Sequence, residues 1–522
     1  MNRLLSSAAF AVGLSIVLFL AVSTSASQSC ESLTSLSLPD TTIDSATTVP
    51  AGPFTIDHNS PFANAPGVNG LVSQHVMLPA YCRVQLTVRP AIHVELWMPA
   101  ANWNGKFEGL GDQGNAGYIN YVDMIRPIQS GYATASTDAG HRIDSTPGAS
   151  GLEFAYGHPE LVVDWAYRAI HEMTLESKKI IESFYGNGPK ISYFFGCSNA
   201  GRQALMEVQH YPNDYDAVLA GAPQANMTGS IAGEALWTTL ALLKDPDSYI
   251  PPTMLPIIAD AALAACAARD GVKDGFINDP ERCNFEPSVL LCKGTELSNC
   301  LTTKQVEALK KLYSGPPRIN GKFLYPGFMY GSERNWGFSI GTGPSTSANY
   351  TRTQGFFRNI VYNDLNWDWH NWDYARDLPE AKKKLSVFET MDPNLQPFTS
   401  HGGKLLLYHG WADGTIPPLN TVNYYKSLVA TNKHAEDSVR LFMVPGMAHC
   451  GGGTGPNTFD AFGALENWVE HKQAPERIIA SNAPDNSVKR TRPLCQYPKT
   501  AQYTGQGSTD DAASFACKVP SN

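Results

Sequence analysis

The sequence has few charged residues and lacks any block of basic residues. Of its 522 residues only 17% are charged, and the formal net charge is −9. Nucleic acids and anionic membranes are bound by clustered lysine and arginine, so this composition argues against both partners. The apolar content of 43% argues equally against a disordered chain. The sequence therefore predicts a globular protein with a large buried core.

Long apolar runs are also absent, except near the start of the chain. Arg3 precedes an apolar run from Ala8 to Val22, and small residues follow as far as Ala26. This order predicts an export signal over residues 1–26 and a secreted or periplasmic protein. An uncleaved membrane anchor is the alternative, because the run is long for a signal. No later segment reads as apolar for long enough to span a bilayer, so we expect no stable membrane insertion after cleavage.

Internal repeats and low-complexity linkers are missing too, and the most informative stretch is a short turn around Ser198. Residues 191–195 form an apolar run that predicts a buried strand, and residues 199–209 predict a helix. An α/β-hydrolase exposes its nucleophile on such a strand-to-helix turn, where small residues are needed because the turn is tight. The motif runs Gly196-x-Ser198-x-Ala200, and alanine is the smallest replacement for the usual last glycine.

Two later loops carry the residue types that would complete a catalytic triad. Asp413 follows an apolar run at 405–408, and His449 follows another at 440–444. The chain order Ser198, Asp413, His449 is that of α/β-hydrolases. Taken singly, Asp413 is explained by an Asp-Gly turn and His449 by a polar loop. Because the matches occur together in the right order, we predict a serine–histidine–aspartate triad.

At these residues the sequence resembles the tannase and feruloyl esterase family. That family carries a Cys-Ser…Asp…His-Cys arrangement, matched here by Cys197-Ser198, Asp413 and His449-Cys450. The resemblance spans nearly the whole chain after the leader and includes the segments 131–138, 157–160, 164–168 and 217–223. It implies an α/β fold, with an α/β-hydrolase core, a large inserted lid domain and many disulfides.

The ten cysteines all lie beyond the leader, and an even number in an exported chain predicts disulfides. The sequence pattern leaves their connectivity open, and buried free thiols are the alternative. The family resemblance implies the pairs Cys30–Cys82, Cys197–Cys450, Cys266–Cys283, Cys292–Cys300 and Cys495–Cys517. The second of these pairs would tie together the two loops that carry the nucleophile and the histidine.

A glycine-rich loop around Gly111 precedes the nucleophile in the chain. No Gly-Lys-Ser/Thr follows it, which excludes a phosphate-binding loop. In an α/β-hydrolase this loop donates one backbone N–H to the oxyanion hole, and the residue after the nucleophile donates the other. We therefore predict Asn199 as one donor, and Gly111 or its neighbour as the second. Asp112, Gln113 and Asn115 interrupt the glycine run, so the pattern does not single out one amide.

We divide the chain into four parts. Residues 1–26 are the signal peptide, 27–225 and 398–522 are the two parts of the hydrolase core, and 226–397 form the lid. The lid interrupts the strand–helix pattern between Ser198 and Asp413, where hydrolases commonly insert one. In the first core part, strands are predicted at residues 71–76, 82–89 and 92–98.

The lid is rich in large aromatic residues, namely Trp336, Trp367, Trp369 and Trp372. These side chains could form an aromatic surface for a planar substrate. They could equally form the core of the lid, because large aromatic side chains dominate cores in general.

The lid also contains closely spaced carboxylates separated by glycines. Asp270 and Asp274 can offer carboxylates to a hard cation, but the spacing is not that of an EF-hand. The resemblance implies a structural Ca²⁺ held by Asp270 and Asp274 and by the backbone carbonyls of Val272 and Phe276. A further family aspartate is replaced by Ala267, and a plain Asp-Gly turn is the alternative.

The residues predict an esterase that works through an acyl-enzyme, and the resemblance implies its substrates. These are small-molecule esters of aromatic acids, galloyl or hydroxycinnamoyl esters such as feruloyl esters. One alternative is an esterase for aliphatic or terephthalate-type esters. A second, from a different class, is a non-catalytic protein that binds polyphenols or carbohydrates on a hydrolase fold. The sequence leaves the oligomeric state open.

Overall fold

A computed structural model of the chain describes residues 28–57, 60, 62–142, 151–266, 272, 274–294, 299–343, 346–482 and 490–520. The predicted export signal at 1–26 lies outside the described residues. The strands are β1 (Thr41–Val49), β2 (Gly52–Pro53), β3 (Met77–Leu78), β4 (Tyr81–Val88), β5 (Ile92–Pro99), β6 (Lys106–Leu110), β7 (Ala133–Thr137), β8 (Ile191–Cys197), β9 (Ala217–Gly221), β10 (Lys404–Gly410), β11 (Val439–Val444), β12 (Arg477–Asn482), β13 (Arg490–Cys495), β14 (Thr500–Tyr503) and β15 (Phe515–Lys518).

The α-helices run between these strands and through the long segment that separates β9 from β10. They are α1 (Val68–Ser73), α2 (Tyr121–Gln129), α3 (Pro159–Val163), α4 (Ala169–Tyr185), α5 (Asn199–His210), α6 (Leu236–Leu243), α7 (Leu255–Cys266), α8 (Thr303–Ser314), α9 (Gly337–Ile340), α10 (Ala348–Gly355), α11 (Tyr374–Leu385), α12 (Gln396–Thr399), α13 (Leu419–Thr431) and α14 (Ala461–His471). A π-helical turn at Asp164–Arg168 joins α3 to α4.

One nine-stranded sheet forms the core, in the order β1-β4-β5-β7-β6-β8-β9-β10-β11. The first four strands of this order pair antiparallel, and the pairs from β7 through β6, β8, β9 and β10 to β11 are parallel. All five residues of β9 are buried, as expected for a parallel strand covered on both faces. The carboxyl ends of the parallel strands therefore meet at one edge, where an α/β-hydrolase carries its site.

Alternate side chains of the central strands enter two different apolar clusters. Val218 and Leu405 pack with buried residues of α4, α5 and α13. Leu219 and Leu406 pack on the opposite face with buried residues of α14, including Trp468. This period of two along a fully buried strand places helices on both faces of the sheet.

The chain between β9 and β10 forms the predicted lid, whose exact limits of 226 and 397 stay a prediction. Its own apolar cluster contains buried residues of α7 and α8 and includes Trp336. Trp369 and Trp372 are buried in the main core cluster, and Trp367 stacks on Phe357 with ring centroids 4.6 Å apart. The four tryptophans therefore serve as packing residues.

Two sequence-based expectations about local structure are wrong. The sequence predicts a strand over residues 71–76, but α1 covers the first three of them and none of the six is in a strand, because Gly67 at φ 80° starts a helical turn and its carbonyl accepts from the Leu71 N–H. We also expected no later apolar stretch of membrane-spanning length. The helical stretch Pro246–Cys266 is, by length and composition alone, long and apolar enough to cross a membrane. Of its apolar 18-residue part, 39% is buried inside the protein. Most of its buried residues belong to the lid cluster.

The structure contains all five disulfides that the family resemblance implies: Cys30–Cys82, Cys197–Cys450, Cys266–Cys283, Cys292–Cys300 and Cys495–Cys517. The last pair joins β13 to β15 and so ties down the C-terminal hairpins. The first joins the segment before β1 to β4.

Candidate active site

Ser198 occupies the turn between the end of β8 and the start of α5. Its φ of 69° lies in the left-handed region, which is uncommon for a residue with a side chain and marks a strained position. A Cβ on Gly196 would come within 2.3 Å of the Ala200 carbonyl oxygen, and one on Gly201 within 2.4 Å of the Gly221 carbonyl oxygen. Small residues are therefore required on both sides of Ser198, and the turn holds its hydroxyl out at the sheet edge.

The three predicted triad residues lie within hydrogen-bonding distance of one another. The Oγ of Ser198 is 2.8 Å from Nε2 of His449, and Nδ1 of His449 is 2.7 Å from Oδ2 of Asp413. Asp413 follows β10 and His449 follows β11, so both loops leave the same edge of the sheet as the Ser198 turn. This arrangement is the one required for a histidine to act as general base toward a serine.

Asp413 is fully buried, and both of its carboxylate oxygens are hydrogen-bonded. Oδ1 accepts from the backbone N–H groups of Thr415 at 2.8 Å and Ile416 at 2.9 Å. Burial acts to raise the pKa of Asp413, but His449 and the hydrogen bonds from His409 and His449 outweigh it and hold the pKa well below its usual range. Asp413 is therefore ionised at any working pH and can stabilise a charged His449.

His409 is a fourth member of the site that the sequence reasoning missed. It is fully buried, and its Nε2 lies 3.0 Å from Oδ2 of Asp413 and 3.1 Å from the Ile416 carbonyl oxygen. Its Nδ1 lies 2.8 Å from Oγ1 of Thr421. An Nε2–H tautomer that accepts from the Thr421 hydroxyl satisfies all of these contacts. The only available signal was the four-residue spacing from His409 to Asp413.

The Cys197–Cys450 disulfide lies directly beside the triad. It bonds the residue before Ser198 to the residue after His449, across 253 positions of sequence and with Cα atoms 6.0 Å apart. The two loops are thus covalently held at one separation. The disulfide also leaves Cys197 without a thiolate, so Cys197 is not a competing nucleophile.

The oxyanion donors predicted from the sequence are only partly compatible with the structure. Asn199 is the first residue of α5, so its backbone N–H has no helical carbonyl to bind and stays available beside Ser198. Gly111 is wrong as the second donor, because its N–H donates to the Phe195 carbonyl oxygen at 3.0 Å. The role of this glycine is steric, since a Cβ there would come within 2.7 Å of the Ala200 side chain.

The residue after Gly111 is also committed elsewhere, because the Asp112 N–H donates to Oε1 of Gln203 at 2.8 Å. Gln113 and Gly114 come next and line the cleft that contains Ser198. Hydrogen bonds between described residues do not use either of their backbone N–H groups. The available amides of this loop therefore begin two residues later than the glycine pattern indicated.

The cleft that contains Ser198 and His449 has a volume of about 680 Å³ and is lined by residues of both the core and the lid. The lid contributes two phenylalanines, Phe338 and Phe356, and Phe338 is 64% exposed. None of the five tryptophans in the lid, including Trp237, is among the described residues that line it. The aromatic lid residues at the cleft are therefore these two phenylalanines, and Phe356 also packs in the main core cluster.

Arg352 is the one arginine or lysine among the described residues lining this cleft. Its Nη2 donates to Oγ of Ser230 at 2.8 Å and its Nη1 to Oε2 of Glu234 at 3.2 Å. Burial raises the pKa of Glu234 to about 7, although Arg352 acts in the opposite direction. The cleft thus carries a positive group whose counter-ion titrates near neutral pH.

The calcium ligands implied by the resemblance are partly described. Asp270 and Ala267 lie outside the described residues. The Oδ2 of Asp274 accepts from Nη2 of Arg492 at 2.5 Å, while its buried Oδ1 has no hydrogen-bond partner among the residues that the structure describes. Val272 and Phe276 are buried beside it. An unpartnered buried carboxylate oxygen fits a cation at this position.

Comparisons with known proteins agree with this geometry. A family model described as tannase and feruloyl esterase matches residues 75–518. The chain is 38% identical to an uncharacterized esterase of Xanthomonas campestris pv. campestris, covering 94% of this chain and 92% of that one. It is 33% identical to a probable feruloyl esterase B-2 of Aspergillus terreus, covering 92% and 93% respectively.

Solved structures give the same result. The crystal structure of feruloyl esterase B from Aspergillus oryzae is similar, with a TM-score of 0.84 at 30% identity over 94% of this chain and 99% of that one. The tannin acyl hydrolase from Aspergillus niger shares the fold, with a TM-score of 0.73 at 20% identity over 92% of each chain.

Proposed function

This chain belongs to the tannase and feruloyl esterase family and is a carboxylic ester hydrolase, and we propose that it cleaves small-molecule esters of aromatic acids through an acyl-enzyme on Ser198. The acids we propose are galloyl or hydroxycinnamoyl groups such as feruloyl. The observation that carries the mechanism is the continuous hydrogen-bonded chain from Ser198 through His449 to Asp413.

In the first half of the reaction His449 acts as general base. Its Nε2 accepts the proton of the Ser198 hydroxyl while Oγ attacks the ester carbonyl carbon. The ester C–O bond then breaks, and the same proton passes to the leaving alcohol. Asp413 accepts from Nδ1–H throughout, which fixes the tautomer and stabilises the positive charge on His449.

In the second half a water molecule takes the place of the alcohol. His449 removes a proton from the water, the resulting hydroxyl attacks the acyl carbon, and the proton returns to Ser198 as the acid leaves. We assign the backbone N–H of Asn199 as one oxyanion donor and that of Gln113 or Gly114 as the other. Each such donor lowers the barrier by about 3–4 kcal/mol.

The preference for aromatic acyl groups rests on the cleft and on the names of relatives. Phe338 and Phe356 line the cleft that contains Ser198, and aromatic contacts of this kind favour a planar acyl group. Two of the similar proteins are named feruloyl esterases and one a tannin acyl hydrolase.

The test is turnover by the secreted protein, with disulfides intact, on methyl gallate, methyl ferulate, methyl caffeate, a terephthalate monoester and a short aliphatic ester. We expect at least one aromatic ester to exceed the aliphatic ester tenfold or more in kcat/KM. A preference for the aliphatic ester would remove the aromatic assignment and leave the triad. The Phe356→Leu variant should reduce the preference for aromatic esters. The matched variant Phe357→Leu, at a residue outside the cleft lining, should leave that preference unchanged.

We further propose that the protein is exported to an oxidising compartment and holds Ca²⁺ in its lid. Five disulfides support export, because disulfides persist outside the cytosol. The unpartnered oxygen of Asp274 supports the cation, whose part would be to hold the lid segment together. No step of the ester hydrolysis passes through it.

A further inference from the structure

Three potential metal-binding side chains converge behind the nucleophile helix, remote from the cleft. His171 comes from α4, Glu207 from α5, and Asp214 from the loop between α5 and β9. One potential ligand atom from each lies within 4.8 Å of the other two. Glu207 lies nine positions after Ser198, on the helix that begins at Asn199, which places the cluster roughly 13 Å along the helix axis from the nucleophile at 1.5 Å per residue.

Glu207 is the unusual member of this cluster. Its side chain is 1% exposed, and within the described chain neither carboxylate oxygen has a hydrogen-bond partner. A buried carboxylate without a donor is costly, and the two ways to remove that cost are a proton or a cation. The carboxylate of Asp214, which belongs to the same cluster, can bond to Glu207 only if one of the two groups holds a proton.

His171 and Asp214 are already paired and placed for a ligand. Nδ1 of His171 lies 2.6 Å from Oδ2 of Asp214, and the ring stacks on Tyr211 with centroids 3.7 Å apart. The His171 side chain is 23% exposed, so an ion from solvent can reach the cluster. The ring orientation is fixed by stacking rather than by Asp214 alone.

Lys178 is a positively charged neighbour of this cluster, and its ammonium group is hydrogen-bonded to the backbone. Its ammonium donates to the Asp214 carbonyl oxygen, not to either carboxylate. Two carboxylates therefore face one ammonium, and a divalent ion would bring the charge of the cluster from about −1 to about +1 with a neutral His171.

We propose that His171, Glu207 and Asp214 form a site for a divalent transition metal of the zinc class. One imidazole nitrogen and two carboxylates are ligands that Zn²⁺ accepts, with water in the fourth position. The same set is too poor in oxygens for Ca²⁺, which takes six to eight. On binding, His171 Nδ1 and Asp214 Oδ2 exchange their mutual hydrogen bond for bonds to the metal. The ion would hold α4 and the loop between α5 and β9 against the nucleophile helix α5.

The experiment uses the full secreted protein, treated with chelator and returned to buffer with saturating Ca²⁺ so that the lid site does not compete. Zinc content, zinc affinity against a chromophoric chelator, and the thermal unfolding midpoint Tm are measured. We expect about one Zn²⁺ per chain and a zinc-dependent rise in Tm. Glu207→Gln should weaken affinity at least tenfold and abolish the rise in Tm.

Two further variants and one control sharpen the test. His171→Phe keeps a ring against Tyr211 but removes the nitrogen, so it should lose zinc while folding normally. Lys178→Met removes the neighbouring positive charge and should tighten zinc binding severalfold. Glu176→Gln changes a different buried glutamate, on α4, which is paired with Lys179 and lies outside the cluster. This variant should leave zinc binding unchanged.

The competing interpretation is a proton shared between Glu207 and Asp214. In that case Glu207→Gln would change the pH dependence of Tm, zinc would leave the Tm of the wild-type protein unchanged, and zinc content would match that of the variant. That result would overturn the metal site, and it would leave the esterase assignment untouched.

Discussion

At the residue scale, catalysis by this protein depends on how the buried carboxylate of Asp413 is hydrogen-bonded. Asp413 accepts from two backbone amides through Oδ1 and from two imidazoles through Oδ2. Four donors around a fully buried group compensate for lost hydration and set its position relative to His449.

Replacement of Ser198 by alanine removes the attacking oxygen and leaves the fold intact. We expect kcat for aromatic esters to fall by about 10⁴-fold or more, as for other serine hydrolases. Steady-state hydrolysis checks this, with an unchanged Tm as the control for folding. Turnover close to wild type would exclude Ser198 as the nucleophile.

His409 should act as a positioning residue. The His409→Leu variant removes one donor from Asp413 and leaves a more basic carboxylate beside His449. Protonation of His449 becomes easier, so the acid limb of the kcat/KM profile should move to higher pH and kcat should fall about 10–100-fold.

The matched variant is His409→Gln, which keeps an N–H donor and should recover part of the rate. A merely structural role for His409 would lower Tm in both variants but leave the pH profile in place.

At the element scale, the disulfide between the nucleophile turn and the β11 loop joins two elements far apart in sequence. A loop of this length is expected to contribute about 5 kcal/mol to the free energy of unfolding in the chain-entropy account. The double variant Cys197→Ser, Cys450→Ser should lose stability of that order and lose activity, because the two loops separate.

The control for this prediction is the lid pair Cys292–Cys300, which closes a separation of only eight positions. Removal of this disulfide should lower the free energy of unfolding by about half as much as removal of Cys197–Cys450, and kcat should stay nearly unchanged. Denaturant unfolding and ester turnover measure both effects. Equal loss of activity in the two double variants would contradict a specific role for Cys197–Cys450.

At the scale of the whole molecule, buried glutamates make stability depend on pH. Burial raises the pKa of Glu234 and of Glu108 to about 7, against the opposing effects of Arg352 and Arg126. The unfolded chain ionises these groups near pH 4.5, whereas the folded chain keeps them protonated up to about pH 7. As the pH rises through this window, the free energy of unfolding therefore falls by about 3 kcal/mol for each of the two glutamates.

Glu234→Gln tests this sign. The free energy of unfolding of the variant minus that of the wild type should rise between pH 4.5 and pH 8, measured by urea unfolding. A difference that stays flat across this range would mean that Arg352 keeps Glu234 ionised throughout.

The lid should respond to removal of calcium. If Asp274 holds the ion, a Ca²⁺ chelator should lower Tm in the wild-type protein and have little effect on Asp274→Asn. Asp260→Asn, an exposed lid carboxylate paired with Arg334, is the matched control and should keep the response. A chelator response equal in both variants would exclude Asp274 as a ligand.

Much of the core was predictable because its signals are local. The apolar run before Ser198 and the small residues around it dictate a buried strand and a tight turn, whatever surrounds them. The strands before Asp413 and His449 were predictable for the same reason. Residues 71–76 were not, because a helix start at Gly67 overrode an apolar run too short to distinguish strand from helix.

The sequence by itself determined the hydrolase core, the triad residues and their chain order, because strand periodicity and turn conformation depend on residues that are neighbours in the chain. Only the tertiary structure decided which backbone N–H groups remain available, since Gly111 is committed to Phe195 on the adjacent strand. It also decided that Phe338 and Phe356, not the tryptophans, face the cleft, and that His409 supports Asp413. These outcomes depend on contacts between segments distant in sequence, whose geometry is set only when the sheet and the lid pack together.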